Sequence, residues 1–343
     1  MGDLSLSESK DRISKYLVET NKGIIFDELK DDYLKKAGVA DILHGVPVPL
    51  IFDDEGMSTL TIALGMARIV GGDNNFVYAP KYIEYIKRVF GDTASRVLIG
   101  EGAKSAQAGD YEVACMFFRT ALMLNPKSCD ALYLYGRACK DAYEIEEQEE
   151  DYVGRFKAEA LEIFEVLTML HPRFAMGYYF LGYGYLNLGL YTKAKLTWDS
   201  FMELSDPEAT DYSEDNVRGV PENEIGDLRK EIAERMASLE EPVVIEKGCN
   251  MIMGGNFQGG LEILEKYTEG RYSQWWPLWY YIGAAKSAMM DSDGAIEAYK
   301  KVLVLSPSNT DVMKELADVY DAIGDKVNRD KYLNKIELIK STC

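Results

Sequence analysis

Histidine is nearly absent from this chain, with only His44 and His171 among 343 residues. The five cysteines, Cys115, Cys129, Cys139, Cys249 and Cys343, are odd in number and show no C-x-x-C spacing. That pattern argues against a disulfide framework and a zinc site, and it favours a reducing, cytoplasmic compartment. No apolar run reaches membrane-spanning length; the longest, Thr59 to Val70, is broken by Arg68. The N-terminus lacks a charged-then-apolar secretory pattern. After Met1-Gly2, Leu6 stands where a myristoylation signal needs Ser or Thr. Positive charge is also scarce: 38 Lys and Arg face 57 Asp and Glu, a net charge of -19. With no compensating basic block, neither nucleic acid nor an anionic membrane is an expected partner.

What remains is 47% apolar and long enough to bury a substantial core, with a length that suggests two domains. Internal repetition organises it. From Phe174 to Pro207, Tyr178, Leu181, Gly182 and Tyr185 form one helical stripe, and Ala194, Trp198, Phe201 and Leu204 form a second. Gly189 separates the two helices. The same skeleton recurs as Gly102 with Phe118, Gly136 with Phe164, Gly248 with Leu264, Gly283 with Tyr299, and Ala317 with Leu333. Gly102 to Gly136 is 34 residues, Gly248 to Gly283 is 35, and Gly283 to Ala317 is 34. Gly136 to Gly182 is one period with 12 extra residues.

Six helix–turn–helix units at this period, with these small and aromatic residues, resemble the tetratricopeptide repeat (TPR) family. The resemblance covers roughly residues 95–343. It implies an all-α fold, a right-handed superhelical α-solenoid with a concave groove. Residues 1–56 are expected to cap the array, and 57–94 to form a degenerate helical hairpin. Three repeats then occupy 95–207, with the 12-residue acidic insertion near 143–153, including "EIEEQEED", read as a tolerated surface feature. Residues 208–240 read as a linker and a capping helix, with Ile225, Leu228, Ile232, Met236 and Leu239 on one stripe. Three further repeats fill 241–343. In the N-terminal segment, Ser7–Glu19 and Asp27–Ala37 read as short helices, and Pro47 and Pro49 exclude helix from 44–56.

Motifs that carry chemistry are fragmentary. "GEGAKS" at Gly100–Ser105 has Leu98 and Ala103 where a phosphate loop needs glycine. The acids Asp53, Asp54 and Glu55 lack calcium-loop spacing, and Asp53 or Asp54 is read as a helix cap. His44 is the lone candidate for acid–base work, and His171 sits in an inter-repeat turn before Pro172. No catalytic residue, metal ligand or cofactor is assigned.

In the TPR family the first helix of each unit lines the groove, usually around a peptide or a partner helix. Here that places Tyr179, Tyr183 and Leu186 in the groove, with Tyr133, Arg137 and Lys140 in the preceding unit and Tyr280 in the fifth. Ile245 and Cys249 match in the fourth unit. Phe180 stays unassigned, while Tyr178 and Tyr185 fall at packing positions. Ile99 and Ala103 replace the Lys and Asn with which some members clamp acidic chaperone tails, which disfavours that role. Trp279 fits a packing position, and core packing is also expected for Trp275 and Trp276. The leading expectation is a non-catalytic scaffold that binds a peptide or protein segment, its oligomeric state open. One alternative is a peptide-sensing regulator with an N-terminal output module. Residues 1–50 carry a net charge of -2, which disfavours a DNA-binding head. The least favoured is an enzyme with its site between the N-terminal segment and the repeats.

Overall fold

The structure is a computed structural model and describes residues 11–50 and 58–342. The chain divides into two compact units, Met1–Gly189 with Leu196–Arg229, and Leu190–Lys195 with Lys230–Cys343.

The first unit opens with short elements: α1 (Ser14–Thr20), β1 (Ile25–Glu28), α2 (Asp31–Ala37), α3 (Ala40–Leu43) and β2 (Pro47–Leu50). β1 and β2 pair antiparallel, Ile25 opposite Leu50 and Glu28 opposite Pro47. This two-stranded ladder is the one sheet among the described residues of an otherwise helical fold; β2 falls in the segment from which Pro47 and Pro49 exclude helix, while the helix expected from Asp27 starts only at Asp31. The prolines permit the pairing because they are two residues apart. Both ring nitrogens lie on one edge, which can face away from β1, so no ladder bond is lost.

Helices α4 (Thr59–Gly72) and α5 (Ala79–Phe90) follow. Ser58, not Asp53 or Asp54, caps α4: Ser58 Oγ accepts from Thr61 N at 3.1 Å, and Thr61 Oγ1 accepts from Ser58 N at 2.8 Å. Asp53, Asp54 and Glu55 lie outside the described residues. Next come the hairpins α6 (Ala94–Gln107) with α7 (Tyr111–Leu124), α8 (Cys129–Tyr143) with α9 (Glu150–Leu170), and α10 (Ala175–Asn187) with α11 (Tyr191–Leu204). The recurrent glycine is a steric requirement of each pair. A Cβ on Gly102 would stand 2.6 Å from the Phe118 ring, and one on Gly182 would stand 2.1 Å from Trp198 Nε1. The ring 16 residues on fills the place a side chain would take.

Residues 11–20 run across the second helices of two hairpins. Ile13 and Leu17 are fully buried. Asp11 pairs with Arg119 of α7, and Arg12 with Glu159 and Glu162 of α9. Lys15 and Tyr16 both bond Asp151, the tyrosine hydroxyl at 2.8 Å. The acidic insertion supplies this dock. Part of it forms the turn after α8, and the rest extends α9 to 21 residues, so that Asp151, Tyr152 and Arg155 meet the strap.

Helix α12 (Glu222–Ser238) carries the expected stripe: Ile225 and Ile232 are buried, as is Leu239 just beyond it, while Leu228 and Met236 are half-buried. Its Arg229 donates to Met202 O and Ser205 Oγ at the end of α11.

The second unit stacks α13 (Glu240–Met253) with α14 (Phe257–Leu264), α15 (Trp276–Ala288) with α16 (Ser292–Leu305), and α17 (Thr310–Ala322) with α18 (Lys326–Thr342). One core cluster joins Ile245, Leu264, Leu278 and Ile282, and a second joins Tyr299, Val302, Leu316 and Tyr320. Trp279 packs against both, its indole N–H donating to Ser273 O at 2.8 Å. Trp275 and Trp276, expected in the core, are exposed. Both lie at the start of α15, directly after a short 3-10 turn at Gly270–Gln274.

Candidate interaction surface

Helix α10 has apolar or aromatic residues on nearly all sides, so its neighbours decide which ring goes where. Leu181 and Gly182 enter the core. Tyr178 and Tyr185, expected there too, are half-buried and keep their hydroxyls at the rim. Tyr178 donates to Pro172 O at 3.1 Å, and Tyr185 to the Glu165 carboxylate at 2.7 Å. Burial and that carboxylate push the Tyr185 hydroxyl up to about 12.

Tyr179 and Tyr183 are half-buried, and part of each ring packs within its own hairpin. Tyr179 lies 5.4 Å from Phe201, and Tyr183 lies 5.0 Å from Trp198, both edge-on. The rings touch each other at 5.3 Å. Phe180 is the hub that sequence reasoning left unassigned. It stacks on Phe164 at 5.3 Å, meets Tyr179 at 5.0 Å and reaches Tyr133 of α8 at 5.9 Å. Tyr133 continues to Phe174 at 5.1 Å. A row of rings therefore runs from Trp198 through Tyr183, Tyr179, Phe180 and Tyr133 to Phe174.

Two guanidinium groups lie over this row. Arg137 is exposed, with its Cζ 5.6 Å from the Tyr133 centroid and 5.9 Å from Phe180. Arg218 stands 5.5 Å above Phe174 and pairs with Asp130 at 2.9 Å. Burial raises the Tyr133 hydroxyl, and Arg137 partly offsets it. At the Phe174 end lies a pocket of about 480 Å³, whose lining includes Cys129, His171, Arg173, Ser213, Asn216 and Arg218. Sequence reading missed it because residues 213–218 reach it from the loop after α11.

The other expected groove residues do not join this row. Lys140 is held by Glu144 and stands 3.8 Å from Asp141. Leu186 is half-buried further along α10. Tyr280 belongs to the second unit, between Tyr281 and Tyr299 at 5.5 and 6.3 Å. Ile245 and Cys249, expected at matching groove positions, are core residues. The expected inter-repeat turn at His171 is occupied as a structural contact: its Nε2–H donates to Lys127 O at 2.9 Å. His44 is exposed, 3.2 Å from Asp31.

Six helical hairpins settle the architecture; four are closed by a glycine against a large residue 16 positions on, and the hairpin of α8 and α9 by Gly136 against Phe164, 28 positions on across the insertion. The array is TPR-like. No protein-family model matches the chain, and no curated protein matches it in sequence. Among solved structures, it is similar to a tetratricopeptide repeat protein from Parabacteroides merdae, at 14% identity over 82% of this chain and 93% of that one, with a TM-score of 0.32. A MamA protein is similar at 14% identity over 73% and 93%, with a TM-score of 0.28. The TPR2AB domain of yeast Sti1, in a complex with pHSP90, is similar at 13% identity over 74% and 93%, with a TM-score of 0.32. These scores are low, and the fold assignment rests on the hairpins themselves.

Proposed function

We propose that this TPR-like array is a non-catalytic interaction scaffold that receives a peptide or protein segment along the aromatic row of α8 and α10. The observation that supports this reading is the row itself, partly exposed, overlain by Arg137 and Arg218, and ending at the pocket beside Phe174. Aromatic rings give large contact area with little side-chain entropy to lose, and arginine stacked on them is typical of binding hot spots. Tyr133, Arg137, Tyr179 and Tyr183 form the main contact, with Lys140 and Leu186 at its margin. Tyr280 serves a separate contact on the second unit. An apolar or aromatic peptide side chain suits the row, and a polar end suits the pocket. Against an N-terminal output module stands the burial of Ile13 and Leu17, which makes residues 11–20 part of the unit.

Selection of displayed peptides on the full chain tests the reading. Alanine at Tyr179 and Tyr183 would strip packing from Trp198 and Phe201, so Arg137→Glu and Arg218→Ala are the cleaner variants. The selected peptides should bind each variant more weakly by roughly tenfold or more, with helicity unchanged. Undiminished binding to both variants would sink the assignment.

A further inference from the structure

Cys115 of α7 and Cys139 of α8 are both fully buried, and their sulfurs stand 3.7 Å apart. Of the other described cysteines, Cys129 is half-buried beside the pocket and Cys249 lies in the second unit. Helices α7 and α8 pack directly on one another. A disulfide needs its sulfurs at about 2.05 Å, so closure asks for roughly 1.7 Å of approach between two neighbouring helices. The interaction surface leaves these thiols unused.

A polar layer surrounds the pair. Arg119 and its partner Asp11 belong to it, as do Tyr135, whose hydroxyl donates to Glu159 at 2.7 Å, and Tyr152, whose hydroxyl donates to Glu112 at 2.6 Å. Burial raises the Cys139 thiol, and Cys115 and Glu159 reinforce the effect. The layer is incompletely satisfied: Arg119 Nη1 is buried without a hydrogen-bond partner. It is held from outside by the strap, whose Arg12 and Lys15 pairs lie near the surface. The exposed Lys15 pair is weak, but Ile13 and Leu17 are fully buried and the Asp11–Arg119 pair is largely so, which makes lifting the strap a rare local opening whose frequency sets access to the thiols.

We propose that Cys115 and Cys139 form a reversible disulfide with a small-molecule disulfide as oxidant, and that the strap of residues 11–20 gates the reaction. When the strap lifts, one thiol loses its proton and attacks a sulfur of oxidised glutathione. A mixed disulfide forms and one glutathione thiolate leaves, taking up that proton. The second cysteine, deprotonated in turn, attacks the sulfur of the first. The Cys115–Cys139 bond forms, the second glutathione thiolate leaves, and it takes up the second proton. Two protein thiols lose two electrons, and one oxidised glutathione becomes two reduced molecules.

The full chain is incubated with oxidised glutathione, quenched in acid, alkylated in denaturant and mapped by peptide mass spectrometry. A Cys115–Cys139 cross-linked peptide is expected, reversed by reductant and absent from Cys139→Ser. Asp11→Asn should speed its formation on the order of tenfold by loosening the strap. Arg12→Ala, which changes a residue nearer the surface, should act in the same direction if Asp11→Asn folds poorly. Full alkylation of both cysteines in the chain and both variants would overturn the proposal. So would a stable mixed disulfide at one of them, or a cross-link through Cys129 instead. Equal rates in the chain and the strap variants would refute the gate.

Discussion

Gly182→Ala adds one methyl group where the structure has no room. The new Cβ would lie 2.1 Å from Trp198 Nε1, 2.4 Å from Cδ1 and 2.6 Å from Cε2. The indole is fully buried and its N–H donates to Tyr179 O at 3.1 Å, so it cannot move aside without cost. Overpacking of this kind costs about 1–3 kcal/mol. Losing the indole hydrogen bond in a buried site costs about 1–3 kcal/mol more. Replacing a mid-helix glycine returns about 1 kcal/mol of helix propensity. The net expectation is destabilisation by about 3 kcal/mol, seen as a fall of roughly 6–12 °C in melting midpoint. Gly154→Ala is the control. It lies within α9, and nothing stands within 4 Å of its Cβ position. It should gain about 0.5–1 kcal/mol by the same propensity. Circular dichroism melts of the two variants should therefore move in opposite directions. If Gly182→Ala melts no lower than Gly154→Ala, the lock between small residue and ring is not what holds the hairpin.

Three further outcomes follow from single sites. Gly71→Ala should be the harshest of the glycine changes, because its Cβ would meet the backbone carbonyl of Met116 at 1.9 Å and backbone cannot rotate away; urea unfolding should show a loss exceeding that of Gly182→Ala. Met290→Gly should stabilise the chain by about 1 kcal/mol in thermal melts, since Met290 holds φ 63° with its side chain 88% exposed, where Gly109, Gly189, Gly255 and Gly324 fill the matching turns. The third outcome concerns pH. Hydrogen bonds from Lys15, Tyr16 and Arg155 hold the Asp151 carboxyl well below its usual range. The ionised form is thus favoured in the folded state, so its hold on the strap is full above the ordinary carboxylate range and is lost as pH falls through the lowered value. Amide protection factors in residues 11–20, taken relative to the intrinsic exchange rate at each pH, should fall on acidification, and Asp151→Asn should remove the part of that fall due to this group.

The repeats were legible because the glycine-to-ring spacing is itself the steric lock. A pattern of 16 residues between Gly182 and Trp198, or Gly283 and Tyr299, survives as a spacing in one dimension. The groove face was much less legible. Helix α10 is apolar or aromatic around most of its circumference, so a period of 3.6 cannot say which ring faces the partner hairpin. Phe180 was passed over for that reason, although its contacts with Phe164, Tyr133 and Tyr179 make it the centre of the row. The pocket needed Arg218 and Ser213 brought to Phe174 and Cys129 from distant sequence, and no local pattern encodes that approach. The strand Ile25–Glu28 was invisible for another reason. All four of its residues are exposed, so it has no buried face to leave an alternation in the sequence.

The acidic insertion changes meaning in the same way. By composition it reads as solvated excess, since the eight residues "EIEEQEED" hold six acids and no base. Lys140 meets Glu144 and Arg155 meets Asp151 from within the same segment, but the partners that give the run its role lie more than a hundred positions upstream. The last acid of the run, Asp151, receives Lys15 and Tyr16, and the residue after it, Tyr152, stacks on Phe156 at 4.2 Å while meeting Tyr16 edge-on at 4.9 Å. Only an α9 longer than its counterparts brings those side chains to the strap; α7 and α11 have 14 residues each against its 21. The inserted residues and the strap thus form one device. The insertion gives one end of the strap a charged anchor, while Ile13 and Leu17 fix the apolar side. A strap held by buried leucine and isoleucine alone would not respond to acid, whereas one anchored on Asp151 does.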